Sequence, residues 1–298
     1  MTERKHDRRE FLIRTTSSGL AVGVMASTKS SSAAPESAFP VLPRAIQLGM
    51  LPEKLSLEDK LGLAKACGFH GIEAYPMDDL EAAKHQGESA RAAGVPIHSI
   101  TYGGWDAPLS HPDPAVAEKG SHGVETALRT AKAMGADTVL LVPAVVNEQV
   151  RYVEAYERSQ KRIRKLLPLA KELRIIIAVE NVWNNFLLSP LEFARYVDEF
   201  HNPWLRAYFD VANVVAFAWP QDWIRTLGTR IVKVHIKDFK REGRQWTPLF
   251  EGDVNWPEVR SAFAEIGYTG FITAELPGGD EAYLREVYKR MEQIVGLK

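Results

Sequence analysis

Apolar residues along the chain gather into short runs separated by longer amphipathic stretches. The runs cover residues 45–50, 71–75, 97–102, 138–144, 175–181, 206–213, 231–238 and 271–276, and several are rich in valine and isoleucine. Short continuous apolar runs of this kind read as strands buried on both faces, as in a parallel sheet covered by helices. Between them lie helical patterns. Ser56 opens one as an N-cap, with Leu57, Leu61 and Ala64 on a common face and Gly68 at the stop. Ser189 opens another, with Pro190 in the first turn and Glu192 placed to close a capping box before Phe193, Tyr196 and Val197. Pro257 begins a third, which stops at Gly267.

Eight strands alternating with helices over about 255 residues predict an α/β fold, a single-domain (β/α)8 TIM barrel over residues 39–298. A doubly wound open sheet is the alternative. Such a sheet usually carries a glycine-rich turn after its first strand, whereas Leu51, Pro52, Glu53 and Lys54 follow here.

Residues 1–38 do not fit the barrel pattern and read as a targeting segment. Arg8 and Arg9 precede Phe11 and Leu12, an apolar stretch covers residues 19–26, and small residues follow to Ala34. This is the order of a twin-arginine export signal, with cleavage near Ala26 or Ala33. The apolar stretch is far short of the ~20 residues that span a bilayer, so no stable membrane anchor is expected after cleavage. The mature protein would then work outside the cytoplasm, in the periplasm or its equivalent.

Composition narrows the chemistry. The chain has 298 residues, 45% hydrophobic and 25% charged, as in an ordinary globular protein. Lys and Arg number 37 against 38 Asp and Glu, which gives no basic field for nucleic acid. Cys67 is the one cysteine, so an internal disulfide and a cysteine-rich zinc site are excluded. Any bound metal must rest on His, Asp or Glu.

Four of the apolar runs end in a polar residue at a matching place. These are Glu180, Asp210, His235 and Glu275, on the fifth to eighth runs. In a barrel the C-terminal ends of the strands converge on one mouth, where active sites sit. Three carboxylates cannot crowd there without a compensating cation. Carboxylate oxygens with one imidazole suit one divalent ion, Mn²⁺, Mg²⁺, Co²⁺ or Zn²⁺. Such an ion polarises a carbonyl or hydroxyl oxygen.

These residues lie in motifs that resemble the xylose-isomerase-like barrels, in particular their ketose 3-epimerase and sugar-phosphate isomerase/epimerase branch. The motifs are Glu180 to Trp183, Asp210 to Asn213, Val234 to Asp238, Glu251 to Trp256 and Ala274 to Gly278, with gaps of 30, 25 and 40 residues between the four polar positions. The resemblance implies that Glu180, Asp210, His235 and Glu275 bind the metal and that Glu180 and Glu275 are the catalytic acid/base pair. It implies proton transfer through a cis-enediolate, giving C3 epimerisation or aldose–ketose isomerisation. It also implies a small-molecule partner (a sugar, a sugar phosphate or a keto acid) and a homo-oligomer. Two departures stand out. Asn213 replaces the histidine of free-ketose epimerases, and residues 183–188 lack their loop glutamate. Both lean towards the sugar-phosphate branch, whereas export leans towards an unphosphorylated substrate.

Further substrate-binding candidates are less determined. Arg241 matches a substrate-binding arginine of the epimerases, or is a solvated charge. Glu73 faces the mouth to orient a hydroxyl, or makes a salt bridge inside the barrel. His98 reaches the pocket, or is a core histidine. Trp105 and Trp183 follow strands and either wall the pocket or pack ordinarily. Lys237 bonds substrate or pairs with Asp238. Two rival functions share the pattern. One is an exported sugar-binding barrel without turnover, and the other an apurinic-endonuclease-like hydrolase, which would need more histidine ligands than this chain offers.

Overall fold

The computed structural model describes residues 41–296. The signal reading for residues 1–38 falls outside the described residues. The barrel strands are β1 (Arg44–Gln47), β2 (Gly71–Ala74), β3 (Ile97–Tyr102), β4 (Thr138–Leu141), β5 (Ile176–Glu180), β6 (Leu205–Asp210), β7 (Ile231–Ile236) and β10 (Ile272–Ala274). They close into a ring in the order β1-β10-β7-β6-β5-β4-β3-β2, all pairs parallel. The helices are α1 (Leu57–Ala66), α2 (Leu80–Ala92), α3 (Pro114–Met134), α4 (Tyr152–Leu173), α5 (Pro190–Asp198), α6 (Pro220–Leu227), α7 (Trp256–Glu265) and α8 (Glu281–Gly296). The expected (β/α)8 barrel is the observed one. Among the described residues no helix is long and apolar enough to cross a membrane.

Local chemistry sets the boundaries. Ser56 Oγ accepts the Asp59 N–H and Ser189 Oγ accepts the Glu192 N–H, as the caps require. Glu192 does not close its capping box, because its carboxylate accepts the Tyr152 hydroxyl at 2.5 Å instead. Several strands stop before their apolar runs do. The run at 45–50 leaves the sheet after Gln47 as a 3-10 turn, and the run at 206–213 leaves it after Asp210. The apolar pattern continues because the turns are themselves buried, as Met50, Val211 and Ala212 show.

The run at 231–238 divides for a different reason. β7 ends at Ile236, and Asp238 opens an antiparallel hairpin of β8 (Asp238–Lys240) and β9 (Gln245–Thr247). The buried Asp238 carboxylate accepts the backbone N–H groups of Phe239, Val254 and Phe250 and the Trp256 indole N–H. Each hydrogen bond to a charged group contributes about 1.5–3 kcal/mol, so one side chain fixes the hairpin and the entry to α7. A Cβ at Gly252 would stand 2.1 Å from Asp238 Oδ1, which explains the glycine in that motif.

Apolar side chains fill the layer between strands and helices, including Ile46, Ile72, Ile100, Val139, Ile177, Phe209, Val234 and Ile272. The barrel interior differs. It holds one small apolar cluster, Leu140, Ala178 and Tyr208, between two polar groups. The upper of these is the candidate site.

Candidate metal centre and active site

Strand alternation turns Glu180, Asp210, His235 and Glu275 inward at neighbouring strand ends. Asp210 is in register with His235, and His235 with Thr273, two residues before Glu275. The four residues each offer a ligand atom within 4.8 Å of the others. His235 Nδ1 lies 2.8 Å from Glu180 Oε1 and 3.5 Å from Glu275 Oε2. Lys237 Nζ donates to Glu275 Oε2 at 2.5 Å and lies 3.0 Å from Asp210 Oδ2.

The orientation of His235 is set from below. Its Nε2 meets Glu73 Oε1 at 2.7 Å. Glu73 is fully buried, and its oxygens also accept the Thr101 and Tyr208 hydroxyls and the Gln47 amide. No direction is left for a substrate hydroxyl. Glu73 therefore braces the histidine from inside the barrel and does not stand in the mouth. With Nε2 committed, Nδ1 is the ring atom presented to the other three residues, the usual carboxylate–histidine arrangement behind a metal ligand.

Asp210 is held as firmly. Its Oδ1 accepts the Asn213 N–H at 2.7 Å, and its backbone exchanges two hydrogen bonds with the Asn181 side chain. The Asn213 side chain donates to Asn181 O at 2.8 Å. Asn213 thus locks the ends of β5 and β6 together, a structural duty at the position assigned to substrate. Asn181, which carries the other half of this lock, follows Glu180 in sequence and had no role assigned there.

Charge sets the protonation states. Burial pushes Glu180 up to about 7 and Asp210 up to about 6. Burial acts the same way on Glu275, but His235 and Lys237 outweigh it and hold that carboxyl below its usual range. Burial disfavours charge on His235, yet Glu73, Glu275 and Glu180 raise its imidazole well above the ordinary value. When all are ionised, four carboxylates thus face two cationic side chains, an excess of two negative charges in a largely buried site. Asp210 Oδ2 is buried and accepts no hydrogen bond of good geometry. Three carboxylates and one imidazole nitrogen form a donor set for Mn²⁺, Mg²⁺, Co²⁺ or Zn²⁺. The residues fit a divalent cation in donor type, charge and spacing.

The remaining candidates separate. Lys237 joins the cluster. Trp183 is half-exposed, donates to Asn213 O, and packs against Phe239 and Trp246. Trp105 is exposed on the loop after β3 and does not line the cavity that opens over Glu275. His98 is a core histidine. It stacks on Phe271 at 4.2 Å and meets Thr273 at 3.2 Å, because an irregularity in the β2–β3 pairing turns it into the barrel below the cluster. Arg241 donates to Val215 O and Ala218 O and lies over the Trp219 ring, so its guanidinium fastens the β6–α6 loop. Tyr208 was not foreseen. Its sequence signal was a position two residues before Asp210, on the same strand face.

Comparison with known proteins agrees with this fold. A profile of the xylose isomerase-like TIM barrel family matches residues 61–294. L-ribulose-5-phosphate 3-epimerase of Escherichia coli strain K12 is 26% identical over 282 residues, covering 86% of this chain and 99% of that enzyme. The structure of an L-ribulose 3-epimerase superimposes with a TM-score of 0.74 at 16% identity, over 86% of this chain and 95% of that one. A D-tagatose 3-epimerase-like protein gives 0.73 at 20% identity, over 86% and 98%.

Proposed function

The chain belongs to the xylose isomerase-like TIM barrel family, and on that premise we propose that it is a metal-dependent sugar epimerase acting at C3 of a ketose. One observation carries the reading: three carboxylates and an imidazole, on four neighbouring strand ends, place their ligand atoms within 4.8 Å. A divalent ion held by Glu180, Asp210, His235 Nδ1 and Glu275, manganese first in order, supplies Lewis-acid polarisation of a carbonyl and its neighbouring hydroxyl.

The protein's own groups move the proton. Glu275 reaches the cavity and is held ionised by His235 and Lys237. It takes the proton from C3 of the ketose, leaving an enediolate. Glu180, the second carboxyl of the pair and protonated at this step, returns its proton to the opposite face, and the configuration at C3 is inverted. The reverse reaction exchanges the two roles. Lys237 steadies the ionised Glu275, and Glu73 keeps His235 from turning. An extracytoplasmic place of action belongs to the same proposal and rests on the arginine pair and apolar stretch of residues 1–38.

Free ketoses, ketose phosphates and hydroxypyruvate, each incubated in D₂O with manganese-loaded protein, test this by proton NMR. Deuterium should enter at C3, and Glu275→Gln should slow entry by about 10²–10⁴-fold. Entry at C1 would identify an aldose–ketose isomerase instead. No exchange despite bound metal would leave a sugar-binding barrel.

A further inference from the structure

Lys237 reaches Glu275 on a long side chain. A lysine ammonium is a strongly hydrated point charge on a flexible stem, and it keeps one place only where its surroundings hold it. Two carboxylates do so by charge, with Nζ 2.5 Å from Glu275 Oε2 and 3.0 Å from Asp210 Oδ2. A third contact comes from Trp246, over whose ring Nζ lies at 4.9 Å from the centroid.

The Trp246 ring is itself held. It stands opposite Phe239 across the β8–β9 hairpin, with the ring centroids 5.0 Å apart. Trp183 packs on it at 5.0 Å and on Phe239 at 5.4 Å, so three rings brace one another. Phe239 is fully buried, and the Trp183 indole N–H donates to Asn213 O at 2.8 Å. The Arg244 guanidinium lies over the Trp183 ring at 5.7 Å. A cation over the face of a desolvated indole is favoured by up to about thirtyfold.

Resting on the epimerase reading, we propose that Trp246 is a positioning residue, whose ring face keeps the Lys237 ammonium on Glu275 and so aims that carboxylate at the proton on C3. Glu275 needs the help. Its side chain is 32% exposed, against 5% for Glu180, so packing alone does not fix its direction. A lysine freed of the ring exchanges Glu275 for water, and a displacement of about 1 Å in a reacting group can cost 10²-fold in rate. The β8–β9 hairpin thus acts on the chemistry through the lysine.

C3 deuterium exchange in the manganese-loaded full chain, with whichever ketose exchanges fastest, tests this. Trp246→Ala and Trp246→Leu should each lower kcat about tenfold, with KM within about twofold of the parent. Trp246→Phe keeps a ring face and should restore kcat to within about threefold. Leucine serving as well as phenylalanine would reduce Trp246 to packing, and a loss carried by KM would make it a substrate contact. Either result overturns the proposal, as does an unchanged kcat in Trp246→Ala. If no ketose exchanges, the epimerase reading fails, and proton NMR of the chelated full chain still decides the positioning. The Lys237 Hε resonance, assigned by its loss in Lys237→Met, should lie upfield under the Trp246 ring current. It should move downfield in both Trp246→Leu and Glu275→Ala. A resonance that is not upfield, or that ignores either substitution, refutes the proposal.

Discussion

The barrel interior holds a polar group at each end, and β7 and β10 contribute to both. At the N-terminal end Lys233 of β7 pairs with Asp137 at 2.9 Å, and His98 lies between Phe271 and Thr273 at the start of β10. At the C-terminal end β7 supplies His235, and Lys237 and Glu275 follow the ends of β7 and β10. The lower group is settled. Burial pushes His98 down to about 3, so it is neutral, and Lys233 holds the Asp137 carboxyl ionised below its usual range. The upper group has two negative charges too many, and two of its carboxyls are pushed to about 6 and 7. Burial of polar side chains is common to both ends. An unbalanced charge is particular to one, and it marks the site.

The contrast can be broken by substitution. Glu73→Gln removes the brace on His235 and should weaken Mn²⁺ binding by about 10–100-fold, measured by calorimetry. Unchanged affinity would return Glu73 to a packing role. Changing pH sharpens the contrast. Glu180 and Asp210 titrate well above their unfolded values of about 4.3 and 3.9. In chelated protein their stability contribution is present when protonated and lost as pH rises through about 6 to 7. Metal binding favours the ionised form of both. The rise in Tm on adding Mn²⁺ should therefore be larger at pH 8 than at pH 5.5, and equal shifts in calorimetry would contradict the charge-excess account. Lys233→Met at the lower end should be nearly silent. Asp137 is left largely in solvent, so the loss should be less than about 1 kcal/mol in urea unfolding, with Mn²⁺ affinity unchanged.

The sequence made these two ends unequally legible. Glu180, Asp210, His235 and Glu275 announce themselves because each breaks an apolar run at its end, and the barrel follows from the count of runs. Glu73 breaks its run in the same way, yet its duty depends on which atom of His235 it meets, and no spacing encodes that. Asn213 and Arg241 are polar residues near the mouth whose donors turn to local carbonyls, a choice made by loop geometry. The β8–β9 hairpin escaped because a strand run appeared to extend through Asp238. With it went Trp246, whose only signal was an aromatic residue just past a glycine turn.

Ring closure between β1 and β10 joins Arg44 to Ile272, a pairing across most of the chain. Contacts of such sequence separation form late, since loop entropy must be overcome first. All four proposed ligand residues lie between positions 180 and 275, and the brace Glu73 lies far ahead of them. A ribosome must therefore release nearly the whole polypeptide before the complete proposed coordination shell exists, and ion capture would become an event of the finished molecule. Acquisition of metal would then time the completion of folding, and a truncated or stalled product would be distinguishable by its failure to retain the ion.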